Sequence, residues 1–198
     1  MYLFIHNIVS IISVIALCGM ALFLFLNGKG RTLNIALGST VIFVIVFVVS
    51  HVIGVNILDP ELSRNVLMLN LSMFLIGCTN IHAVLALIKK DVENRNFIAF
   101  IYVSSILFVI GFSVFPDLFL LPSVPKMYFP NYYVPGELNW IRVVFLNLVA
   151  VPYMLYKLID AYEKSKLEYE RNQDIYFSII IFVAYTDGFM HNFLVYDS

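Results

Sequence analysis

Charge is scarce in this sequence: Asp, Glu, Lys and Arg make up 13% of its 198 residues, against roughly a quarter in a soluble domain. With 61% of the residues hydrophobic, water is excluded as the main solvent of the chain. Twelve Lys and Arg against thirteen Asp and Glu leave a formal charge of -1, which gives no reason to expect a nucleic acid partner. Cysteine is equally rare. Cys18 and Cys78 both fall within apolar runs, which argues for buried thiols rather than a disulfide framework. Also absent are a phosphate-binding G-x-x-x-x-G-K-[ST] loop, H-E-x-x-H, G-x-S-x-G and any Cys and His cluster at metal-ligand spacing. Neither catalytic residues nor metal nor cofactor are expected. No internal repeat of the transporter kind and no polar rings of the channel kind stand out.

What the sequence does contain is a series of apolar runs. They extend over about Tyr2 to Leu26, Leu33 to Asn56, Val66 to Ile88, Phe97 to Phe115, Trp140 to Ile159 and Ile175 to Tyr196. Each is long enough to carry a helix across about 30 Å of hydrocarbon, and none shows the alternation of a barrel strand. The expected fold is therefore all-α, a bundle of six transmembrane helices forming one domain over residues 1–198. The first run has no basic segment before it and is too long for a cleaved signal peptide.

Positive residues give the orientation, since they collect in short loops on the cytoplasmic side. Lys29, Arg31, Lys89, Lys90, Arg95, Lys157, Lys164, Lys166 and Arg171 fall on one side, and Arg64, Lys126 and Arg142 on the other. Nine against three puts the N-terminus outside the plasma membrane. After six spans the C-terminus is outside too, so a seventh helix beyond Ser198 is expected.

Two connections are distinctive. Between Pro116 and Asn139 lie five of the seven prolines and several aromatic residues; proline forbids a regular helix, and the rings favour the headgroup level. This loop is expected across the outer mouth, as a lid over a ligand pocket or as a connector resting on the membrane. The segment from Lys157 to Asp174 mixes both charges without Gly or Pro, and is expected to prolong the fifth helix into the cytoplasm, as a relay of motion or as a solvated linker.

Ionisable residues within spans are costly and usually face the bundle interior. His51, Asp187 and His191, with Arg142 at the start of helix five, are expected in one outer layer, binding a small polar ligand or proton or pairing with one another. Asp187 and His191, four apart, share a helix face. His82 stands apart from that layer and is expected to hydrogen-bond a neighbouring helix. Asn70, Asn80 and Asn147 are expected to tie helices together, and Pro152 to kink helix five.

Several of these elements, in order, carry a family resemblance: the outside N-terminus, Asn80-Ile81-His82-Ala83 near the inner end of helix three, the Pro-rich loop ending in Pro135-Gly136-Glu137-Leu138, and Glu170-Arg171-Asn172-Gln173 before helix six. The arrangement resembles the N-terminal seven-transmembrane region found ahead of bacterial sensor histidine kinases and some diguanylate cyclases. That resemblance implies a sensory input domain, a seventh helix leading to a cytoplasmic effector, a homodimer formed through the effector, and signal relay by Pro152, Arg171 and Gln173. The chain departs from the pattern in having Glu170 where a second basic residue is usual. A solute transporter coupled to protons through Asp187 and His191, and a structural membrane subunit, are the alternatives.

Overall fold

The computed structural model describes the backbone of residues 1–28 and 31–196 and the side chains of residues 1–28 and 31–185. Its helices are α1 (Tyr2–Asn27), α2 (Thr32–Asn56), α3 (Pro60–Leu67), α4 (Ser72–Leu87), α5 (Arg95–Val114), α6 (Trp140–Val143), α7 (Val151–Lys164) and α8 (Glu168–Tyr196). A 3-10 turn, Met68–Leu71, joins α3 to α4, and a π turn, Val144–Ala150, joins α6 to α7. Among the described residues, five continuous helical stretches are long and apolar enough to cross a membrane: Tyr2–Asn27, Thr32–Asn56, Pro60–Leu87, Arg95–Val114 and Trp140–Lys164. The class is all-α, and by length and composition this is a membrane protein.

The third span begins six residues before the expected Val66. Asp59 caps it, its carboxylate accepting the Leu62 amide at 2.7 Å, with Pro60 in the first turn. Proline there has no amide to waste, since that position lacks a helical acceptor anyway. At the other end, the Lys90 amide donates to Leu85 O at 2.8 Å and the Lys89 amide to Ala86 O at 3.2 Å. This pair is a Schellman motif, and Lys89 takes the left-handed conformation usually left to glycine, with φ 58.

α4 is the central helix, packed between α2 and α5 and touched by the π turn and α7. Two core clusters surround it. The one at the hairpin end gathers Val55, Leu67, Leu71, Phe74, Phe112, Phe119, Leu120, Tyr132 and Tyr133; the one at the opposite end gathers Cys78, Ile81, Leu85, Ile101, Ala150, Met154, Leu158 and Ile181. Phe145 packs against both. Polar groups in the spans have no water to turn to and so find partners inside the protein. Thr40 donates to Thr79 at 2.8 Å, the Asn7 and Asn56 amides exchange bonds, and Cys78 and Ser105 lie 2.8 Å apart.

The Pro-rich connection is a β-hairpin, β1 (Leu120–Lys126) against β2 (Phe129–Pro135), rather than an irregular loop. Proline cannot donate to a ladder, and the register shifts between Leu121 and Val124 and again between Val124 and Lys126, where Pro122 and Pro125 stand. Side chains make up for the broken ladder. Asn131 donates to Ile57 O and Leu58 O, Ser63 bonds Ser123, Asn139 donates to Phe119 O, and Arg64 pairs with Asp117. The hairpin is thereby fixed over the ends of α2 and α3.

The expected helical extension from Lys157 to Asp174 is corrected. α7 stops at Lys164, Ser165 is extended, and α8 folds back along α7 from Glu168. Ion pairs account for the reversal: Asp160 is held by Lys90 and Lys164, and Glu170 accepts from Lys89 at 3.1 Å and from Ser165 at 3.0 Å. These bonds tie the α4–α5 connection to the α7–α8 turn.

Candidate functional site

The site lies under the tip of the hairpin, where α1 begins and α2 ends. A cavity of about 180 Å³ is lined by His6 of α1, His51 of α2 and Lys126, Met127, Tyr128, Phe129 and Tyr132 of the hairpin. Its position follows from local structure. The tight turn at Met127, with φ 56, carries the chain from Lys126 to Phe129, so that β1 supplies a cation and β2 supplies rings to the same wall. The Tyr128 and Phe129 rings lie 4.4 Å apart and those of Phe129 and Tyr132 5.1 Å apart. His6 meets the edges of His51 at 5.4 Å and Phe129 at 5.2 Å.

Behind His51 a line of polar groups runs into the bundle. Its Nδ1 is 2.9 Å from the Tyr133 hydroxyl, Asn70 donates its amide to that same hydroxyl, and Ser50 donates to Asn70 Oδ1 at 2.7 Å. The Tyr133 oxygen thus accepts from Asn70 and stands within hydrogen-bond distance of His51 Nδ1. Burial pushes the phenols of Tyr132 and Tyr133 well above their ordinary range, an effect the nearby Arg142 guanidinium only partly opposes. Both therefore stay protonated.

The expected layer of ligand-binding residues is brought together in part. His51 lines the cavity. Arg142 is buried at the same end, donating to Asn139 Oδ1 at 3.2 Å and facing Met73 Sδ at 3.1 Å. Asp187 and His191 lie on the backbone of α8, but their side chains fall outside the described residues. His82 meets the Tyr102 hydroxyl of α5 at 3.3 Å, a contact between helices. Asn70 and Asn80 also join elements, the latter donating to Tyr185 at 2.8 Å, whereas Asn147, among the described residues, bonds Val143 O one turn back in its own helical stretch.

The relay candidates are dispersed. Pro152 stands in the first turn of α7, directly after the π turn. Arg171 packs over the Tyr162 ring at 4.4 Å and donates to its hydroxyl at 2.9 Å, while Gln173 is exposed on α8. Two residues of the cavity escape sequence reasoning, His6 and Lys126. His6 is a lone histidine in the first span, and Lys126 reads as one of three outer cations; a hairpin at Pro116 to Asn139 would have brought both to attention. No family model matches this chain, and no curated protein or solved structure does either.

Proposed function

We propose that this chain is the membrane-embedded sensory input domain of a signalling protein of the sensor histidine kinase type. The observation that carries this reading is the buried polar line from His51 through Tyr133 and Asn70 to Ser50, which joins a cavity under the hairpin to the seam between α2 and α4. An occupant that binds two packings of the bundle unequally shifts their populations by its differential affinity. A change at His51 bears directly on Tyr133, whose buried hydroxyl is also bonded to Asn70.

In this reading the N-terminus and the hairpin face the outside of the plasma membrane, in line with nine positive residues against three. α7 and α8, locked to the α4–α5 connection by ion pairs, pass the change to a cytoplasmic effector, through which the protein forms a homodimer.

The test is to read the open frame past Ser198, express its whole product in membrane vesicles, and measure kinase or cyclase output for wild type and His51→Gln. A coupling of about 1 to 3 kcal/mol predicts a change in output of roughly five- to 150-fold. A frame without an effector, or output indifferent to His51→Gln and Tyr133→Phe, would overturn the reading.

A further inference from the structure

We propose that Asp174 is a proton latch at the base of α8: the helix lies firmly against α7 while this carboxyl keeps its proton, and its hold loosens when the proton leaves. The device works at the end of the bundle where Lys89 and Glu170 pair, and it stands whether or not an effector follows.

Placement comes first. Asp174 falls in the second turn of α8, one residue before the sixth apolar run. Residues four and seven positions apart share a helix face, so Asp174 looks the same way as Glu170 before it and Ile181 beyond it. Ile181 belongs to the core cluster that holds Leu85 and Leu158. Asp174 is accordingly 7% exposed, although acidic side chains are almost never so buried unless they are paired.

Pairing is what Asp174 lacks. Three lysines gather at this junction, and two carboxylates take them all: Asp160 holds Lys90 and Lys164, and Glu170 holds Lys89. The other cations of α7 and α8 are engaged as well, Lys157 over the rings of Tyr153 and Tyr156 and Arg171 over that of Tyr162. Lys166, Glu163 and Glu168 are exposed. Ser178 donates to the Asp174 backbone oxygen at 2.8 Å, but among the described residues nothing bonds the carboxylate itself.

A carboxylate withdrawn from water without a counter-ion is costly, and the neutral acid is far less so. Burial first, and then the Glu170 charge one turn away, push the Asp174 carboxyl above its usual range. A raised carboxyl supports the docked helix fully below its unfolded value, about 3.9, and that support is lost as pH rises through the raised folded value. Glu170 behaves in the opposite sense, since its bond to Lys89 is lost as pH falls. Two carboxylates one turn apart on the same face thus answer protons in opposite directions.

The experiment melts the full chain in lipid nanodiscs between pH 4 and 8. Asp174→Asn keeps the shape of the protonated acid, and the Glu170 pair is present in both proteins, so its titration cancels in the comparison. The variant should melt with the wild type near pH 4 and above it at pH 8, the gap opening as pH rises. Asp174→Leu, which also lacks the proton site, should show the same trend from its own baseline. A second reading comes from spin labels on Tyr156→Cys and Tyr176→Cys, both exposed, in a Cys18→Ala, Cys78→Ser background. The ratio of open to docked α8 should rise with pH by no more than about tenfold per unit, the limit for one proton, and should stay flat once Asp174→Asn is added. A melting gap that is constant from pH 4 to 8, a variant that melts below the wild type at pH 8, or a labelled Asp174→Asn chain that opens with pH as its parent does would overturn the proposal.

Discussion

Tyr133 and His51 are joined twice, by the hydrogen bond at Nδ1 and by stacking of their rings, whose centroids lie 5.5 Å apart at an interplanar angle of 15°. The hairpin is thus attached to α2 by a contact whose two parts respond differently to substitution.

Tyr133→Phe keeps the stacked ring and removes the hydroxyl, so Asn70 and His51 each lose a partner inside the bundle. The expected loss is about 1 to 3 kcal/mol, the cost of stranding buried polar groups. It can be followed as the melting midpoint read by a thiol-reactive dye at the buried Cys78 in a Cys18→Ala background. In a double-mutant cycle with Asn70→Ala the double variant should lose less than the sum of the two single losses, since both changes break the same line. Strict additivity would mean that the line has no energetic unity.

Gly136 sits where the chain leaves the hairpin, with its amide donating to Phe119 O at 2.9 Å. A Cβ there would strike the carbonyl oxygen of Asp117 and come within 2.6 Å of the Leu118 carbonyl carbon. Backbone atoms cannot yield as a flexible side chain would, so Gly136→Ala should cost about 1 to 3 kcal/mol. Gly111 is the control. It meets open space, and Gly111→Ala should be neutral or stabilising by up to about 1 kcal/mol.

The orientation is open to direct labelling. Ser123 is a poor probe, being 3% exposed and bonded to Ser63, but Met127 at the turn is 70% exposed and Lys166 is exposed at the opposite end. In a Cys18→Ala, Cys78→Ser background, Met127→Cys should react with an impermeant thiol reagent in intact cells, and Lys166→Cys should react only after permeabilisation. The opposite pattern would reverse the topology.

The ion pair between Glu170 and Lys89 should make stability depend on pH. The bond from Lys89 is the main cause holding the Glu170 carboxyl below its usual range, and the same pair raises the Lys89 ammonium. A lowered carboxyl stabilises the fold above its unfolded value, about 4.3, and that gain disappears as pH falls through the lowered folded value. A raised ammonium stabilises below its unfolded value, about 10.4, and that gain disappears as pH rises through the raised folded one. The melting difference between wild type and Glu170→Gln should therefore be present from about pH 5 to 9, shrink towards pH 3 and towards pH 11, and diminish in high salt. A constant difference at every pH would assign the effect to packing instead.

The spans are legible in the sequence because a continuous apolar run of this length admits few structures other than a crossing helix. Where polar and apolar residues mix, legibility fails for identifiable reasons. Asp59-Pro60 is a helix start in plain view, yet the polar stretch after it hides the first turns of the third span. The reversal at Ser165 has no Gly or Pro to mark it, since it depends on Lys89 and Lys90, some seventy to eighty positions away along the chain. Prolines in β1 and β2 mask the hairpin, whose pairing depends on Asn131, Ser123 and Asn139 as much as on the ladder. Within the site, His51 and Arg142 stand out as ionisable residues near span ends, while His6 becomes meaningful only once the hairpin tip is brought above it.

The π turn also changes how the sixth and seventh helices should be counted. Val151 donates to Leu146 O, five residues back, so one residue in this stretch adds no advance around the axis. At about 100° per residue, Arg142 and Met154 would stand roughly 120° apart in an uninterrupted α-helix; discounting one residue brings them to roughly 20°, in agreement with the burial of both. The wider turn also spares the ring of Pro152 a clash with the carbonyl four residues before it. The length of this span is therefore adjustable at one point. Removal of a single residue between Val144 and Ala150 would tighten the turn to an ordinary α-helix and leave both flanking faces in phase, whereas the same deletion within α4 would rotate half of the core out of register.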